Sequence, residues 1–170
     1  MTLRIIALGI ASLVLFAALA RSADKEAEVA KYVKDLKSAS AKTRATAAQE
    51  IGKIGEVKAS YAKPALQPLI DVLTDKDAAV RQAAATALAQ IDEPKEVVPA
   101  LEKLLKEDKE QRVRAAAALG LGLMGEASKE ALPTLRKVGQ EARGKGKDAQ
   151  PLAQACNRAI QQITGRTKQQ

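Results

Sequence analysis

The chain has 170 residues, with 28 Lys and Arg against 20 Asp and Glu, a formal charge of +8 at pH 7 and no histidine. A single cysteine excludes an internal disulfide, and the lack of histidine removes the commonest general base and a common zinc ligand. With two tyrosines, one phenylalanine and no tryptophan there is almost no stacking surface, so the basic charge does not point to nucleic acid.

At the start of the chain Arg4 precedes sixteen uncharged, mostly apolar residues, Ile5 to Ala20, which close on the small-x-small pattern Ala18-Leu19-Ala20. This is the pattern of a secretory signal, so residues 1–20 are expected to be removed and the protein to be exported, periplasmic or secreted. A spanning helix needs roughly 20 apolar residues, so membrane contact is expected only if the signal stays uncleaved. Cleavage after Ala20 leaves 150 residues with a balance of +7, since Arg4 is the only charge lost. That length suits one domain burying roughly two thirds of its unfolded surface.

From residue 21 to 165 one pattern recurs, and residues 166–170 follow as a C-terminal tail. The segments TRATAAQEIGKIG from Thr43, VRQAAATALAQID from Val80, VRAAAALGLGLMG from Val113 and LAQACNRAIQQIT from Leu152 align without a gap. Their second residues, Arg44, Arg81, Arg114 and Ala153, are 37, 33 and 39 residues apart, the length of a helix-turn-helix repeat. Core-type residues fall at the first, fifth, ninth and twelfth positions: Thr43, Ala47, Ile51, Ile54; Val80, Ala84, Leu88, Ile91; Val113, Ala117, Leu121, Met124; Leu152, Cys156, Ile160, Ile163. Steps of four, four and three trace one face of a helix. A second amphipathic stretch leads each copy, through Val29, Val33 and Leu36, then Leu66, Leu69, Ile70 and Leu73, then Leu101, Leu104 and Leu105, then Leu132, Leu135 and Val138. The expected architecture is all-α, an α-solenoid of about four antiparallel helix pairs. Asp77, Asp108, Ser128 and Asp148 stand where side-chain oxygens cap helix starts. Pro68, Pro99 and Pro133 fall near the beginnings of leading helices, and Gly55, Gly125 and Gly165 where left-handed C-caps are expected.

The leader L-x-D followed by V-R-x-x-A-A-x-x-L-x-x-I, fullest in LTDKDAAVRQAAATALAQI from Leu73 to Ile91, resembles the HEAT-repeat family, including its short bacterial form in phycobilin-lyase-like proteins. The resemblance covers nearly all of residues 26–165. It implies a ladder between adjacent repeats in which an Asp stands six residues before an Arg, as Asp75 does before Arg81 and Asp108 before Arg114. Arg114 would then pin one repeat to its neighbour. The first copy has Ser38 in the Asp position and the fourth has Lys147 and Ala153, departures in keeping with terminal repeats that cap a stack.

In proteins that look like this the trailing helices line the inner face. Leu119 and Gly122 are expected to point away from the core with Leu123 on the flank, an apolar centre of the kind that marks a partner site. Lys53 and Arg158, in the first and last repeats, supply charge around it. The basic segment EARGKGKDAQP, Glu141 to Pro151, gathers Arg143, Lys145 and Lys147 around two glycines, and is either a solvated hairpin or a place to hold an anion. Cys156 occupies a core position and is expected to act as a small hydrophobe. No catalytic, metal-binding or cofactor-binding residues are expected, and no enzyme. The expectation is an exported, non-catalytic scaffold that binds a protein or peptide. The alternatives are a tetrapyrrole attachment factor, implied by the lyase-like relatives, and a basic domain on anionic envelope polymers.

Overall fold

The structure, a computed structural model, describes residues 23–165 apart from residue 92. The expected signal at 1–20 and the tail at 166–170 lie outside the described residues. Helix α1 spans residues 23–35. It is followed by α2 (Ala41–Val57), α3 (Ala59–Ala62), α4 (Leu66–Asp71), α5 (Ala78–Leu88), α6 (Pro94–Glu107), α7 (Gln111–Leu123), α8 (Leu132–Gly144) and α9 (Gln150–Ile163). Short 3-10 turns at Lys63–Ala65, Val72–Thr74, Gly125–Ala131 and Lys147–Ala149 break or lead into the limbs. No strand occurs among the described residues. Three limb pairs pack together, the broken limb α3–α4 with α5, α6 with α7, and α8 with α9, and α1 precedes α2 with Val29 buried in the same core.

The trailing helices make a continuous row, α2 against α5, α5 against α7 and α7 against α9, which makes the molecule an α-solenoid. The expected core face is buried through Ala47, Ile51, Ile54, Val80, Ala84, Leu88, Ile91, Val113, Ala117, Leu121, Leu152, Cys156 and Ile163. Met124 and Ile160 are only partly covered, and Thr43 is exposed in the first turn of α2.

A second buried side was not visible in that periodicity. Along the row, the tenth residue of one repeat copy meets the eighth of the next. A Cβ placed on Gly52 would stand 3.1 Å from Ala87 Cα, one on Gly120 3.3 Å from Ala89 Cβ, and one on Gly122 2.9 Å from Ala159 Cα. Small residues at this register let successive backbones approach until nothing larger fits. Gly122, expected to point away from the core, is therefore buried against α9.

The helix ends follow local chemistry. Ser40 Oγ accepts from the Thr43 N–H at 3.3 Å to cap α2, and an Asp77 carboxylate oxygen accepts from Ala79 N–H at 2.8 Å to cap α5. Asp108 accepts from Glu110 N–H at 2.8 Å just ahead of α7. Ser128 and Asp148 are not caps, because 3-10 turns intervene and α8 and α9 start after Ala131 and Ala149. Gly125 and Gly165 adopt φ of 56° and 66°, the left-handed caps expected of them. Gly55 does not, since α2 runs on to Val57 and packs Gly55 against Gln90 and Ala62. Pro133 stands in the first turn of α8, whereas Pro99 lies inside α6, whose start is set by Pro94.

Candidate functional site

Two arginines of the row are buried, and both are held the same way. Arg44 donates from Nε and Nη2 to Asp75 Oδ2 and Oδ1 at 2.6 and 2.8 Å, and from Nη1 to the carbonyls of Ser38 and Ala39 at 2.8 and 3.1 Å. Arg81 donates from Nε and Nη2 to Asp108 Oδ2 and Oδ1 at 2.6 and 3.0 Å, and from Nη1 to the carbonyls of Asp75 and Lys76 at 2.8 and 3.3 Å. The planar guanidinium matches both carboxylate oxygens, so each rung fixes the angle between repeats as well as their separation. The Arg44 hydrogen bond holds the Asp75 carboxyl below its ordinary pKa. At Asp108 burial opposes ionisation, but hydrogen bonds from Arg81 and from the Glu110 N–H outweigh it and the pKa again falls.

The rungs run forward along the chain. The side chain six residues ahead of each Arg is not its partner: Arg81 takes the Asp75 carbonyl, while the Asp75 carboxylate belongs to Arg44. Arg44 is thus a rung that the sequence reading passed over, although its alignment with Arg81 marked it. Arg114, expected to be a rung, is not one. Its Nε donates to the Leu105 carbonyl at 2.8 Å, within its own helix pair, and Asp108 is already engaged by Arg81. The reason is chemical, because the following repeat has Lys147 in place of the acid.

The expected partner surface is only partly assembled. Leu119 and Leu123 lie one turn apart on α7; Leu119 packs half-buried against the core, and Leu123 is 57% exposed. Val57, at the end of α2, is 78% exposed and was not singled out in the sequence. Lys53 is exposed and bonded to Glu50 at 2.7 Å, and Arg158 is exposed on α9. They sit on the first and last trailing helices, at the two ends of the row.

Three further groups bear on chemistry. In the basic segment, Arg143 Nη2 donates to Asn157 Oδ1 at 2.6 Å, and Lys145 lines a small cavity with Arg114. Burial pushes the Cys156 thiol up to about 11, which leaves it protonated and unreactive at neutral pH. Among the described residues, no cluster of three or more His, Cys, Asp or Glu is placed to hold a metal ion.

Residues 28–122 and 66–150 match the family model for HEAT repeats, two overlapping windows that together span most of the chain. Solved structures of similar fold include two crystal structures of engineered proteins. One is 30% identical with a TM-score of 0.60, over 79% of this chain and 63% of that one. The other is 26% identical with a TM-score of 0.63, over 79% of this chain and 62% of that one. The chain thus spans a little less than two thirds of the length of these engineered relatives. No curated protein matches.

Proposed function

The chain belongs to the HEAT-repeat family, and from that premise we propose that it is an exported, non-catalytic scaffold that binds a protein or peptide along its row of trailing helices. The observation that carries the reading is Leu123, a large apolar side chain left 57% exposed on α7 beside half-buried Leu119, in a helix otherwise packed on both neighbours. An exposed leucine with apolar support beneath it is the kind of anchor on which binding energy concentrates. Lys53 and Arg158 would act at the rim, on association rate and salt dependence more than on final affinity. Export rests on the sequence pattern of residues 1–20 alone.

The test is a pull-down from the envelope fraction of the exporting cell with wild-type protein and with Leu123→Lys. Leu123 is chosen over Leu119 because a charge at the half-buried position would also disturb the core. Circular dichroism first establishes that both proteins are folded. Loss of one specific partner in the variant is the expected result. Recovery of the same partners by both would overturn the inner-face reading.

A further inference from the structure

The ladder ends on a guanidinium that has no carboxylate. Arg44 and Arg81 each hold the Asp of the next repeat with two hydrogen bonds, but among the described residues Arg114 has only the Leu105 carbonyl, at Nε. Arg114 lines two small cavities of about 110 and 310 Å³ beside α7 and α8, and Val138 and Glu141 line both with it. Lys109 and Lys145 complete one, and Lys106 and Lys137 the other. Lys145 comes from the basic segment between α8 and α9, which the ladder and the scaffold reading leave unused. Glu141 is the one acid in either lining, and it makes no hydrogen bond to Arg114 among the described residues. Lys106 is already paired with Glu102 at 2.7 Å, so the first cavity, lined by Arg114 with Lys109 and Lys145, is the basic one that stands where the preceding repeats place an aspartate.

We propose that the cavity lined by Arg114, Lys109 and Lys145 binds a carboxylate presented from outside, an Asp or Glu side chain of an acidic peptide segment, which takes at Arg114 the place Asp108 takes at Arg81. The two completed rungs show the geometry the ligand would adopt, with both carboxylate oxygens on Nε and Nη2. Accepting from Nε asks the Leu105 bond to be shared or released. The lysines raise the local potential and favour an incoming anion before contact. That the carboxylate belongs to a peptide rests on the scaffold reading; that the cavity binds a carboxylate does not.

The test titrates N-acetylaspartate amide, which carries one carboxylate and little else, into isotope-labelled full-length protein. A saturable shift of the Arg114 Nε–H resonance is expected, with Arg44 and Arg81 unmoved because their carboxylates are already in place. Lys145→Glu supplies an acid within the cavity and should weaken binding at least tenfold, whereas Glu141→Gln should strengthen it and Arg158→Gln leave it unchanged. Leu123→Lys should also leave it unchanged, so failure of the partner surface and failure of this site can be told apart. Shifts that never saturate, or a Lys145→Glu variant that binds as wild type does, would overturn the site. Inorganic phosphate binding more tightly than the aspartate probe would overturn its assignment to a carboxylate.

Discussion

At the scale of single residues, Arg81 and Asp108 are the most enclosed ion pair among the described residues, with side chains only 7% and 4% exposed. Removing one member leaves the other charged and without its partner in a dry place, so Arg81→Ala is expected to lower stability by about 3 kcal/mol, far more than a surface pair would. A double-mutant cycle with Asp108→Ala checks it, and coupling below about 0.5 kcal/mol would show that the rung is not energetically joined. The two rungs also set a pH dependence. Asp75 and Asp108 have folded pKa values below their unfolded ones, so the stability they contribute is present above about pH 4 and lost as pH falls through the lowered folded values. The melting temperature should therefore drop as pH is taken from about 5 towards 2, and less steeply in Arg81→Ala. The sequence showed these arginines as a series but not their partners. Arg44 finds Asp75 31 residues on and Arg81 finds Asp108 27 residues on, distances that only the stacking of repeats makes short.

At the scale of helices, the face that meets the partner helix was legible and the face that meets the next repeat was not. The first carries large residues at a helical period, such as Ile51, Leu88 and Leu121, and periodicity finds it. The second is made of Gly52, Ala87, Ala89, Gly120, Gly122 and Ala159, whose smallness resembles indifference in a sequence and is in fact the contact. Gly122→Val should destabilise by about 2 kcal/mol or more, because its Cβ would already be 2.9 Å from the α9 backbone at Ala159 before the two methyls are added. Gly144, at the end of α8, would present its Cβ to open space, so Gly144→Ala should be neutral or stabilising by about 0.5 kcal/mol. Chemical denaturation of the two variants decides between this account and one in which all helix glycines are alike. The same register explains why the candidate surface narrowed. Once Gly122 is buried against α9, Leu123 remains exposed and Leu119 only half so.

At the scale of the whole molecule, each helix pair leaves one side uncovered, and only the next pair covers it. Stability in such a stack is a sum of weak units and the junctions between them, so units at the centre hold more of the total than units at the ends. Helix α5 is central, touching α4 and the turn at Val72–Thr74 within its pair, α2 before it and α7 after it. Leu88 in α5 is completely buried. Leu88→Asp would place a charge inside that apolar cluster, and burial of an unpaired charge is among the costliest single changes. The loss should not stop at the second repeat, because α2 loses its packing against α5 and α7 loses one of its two neighbours in the row. The far-UV helical signal is expected to fall by more than the share of one pair in four, with the remaining helix melting at lower temperature and over a broader range than in wild type. A variant that loses only its own pair and keeps a sharp transition would mean that the repeats fold independently, and the row of small-residue junctions would then be contact without cooperation.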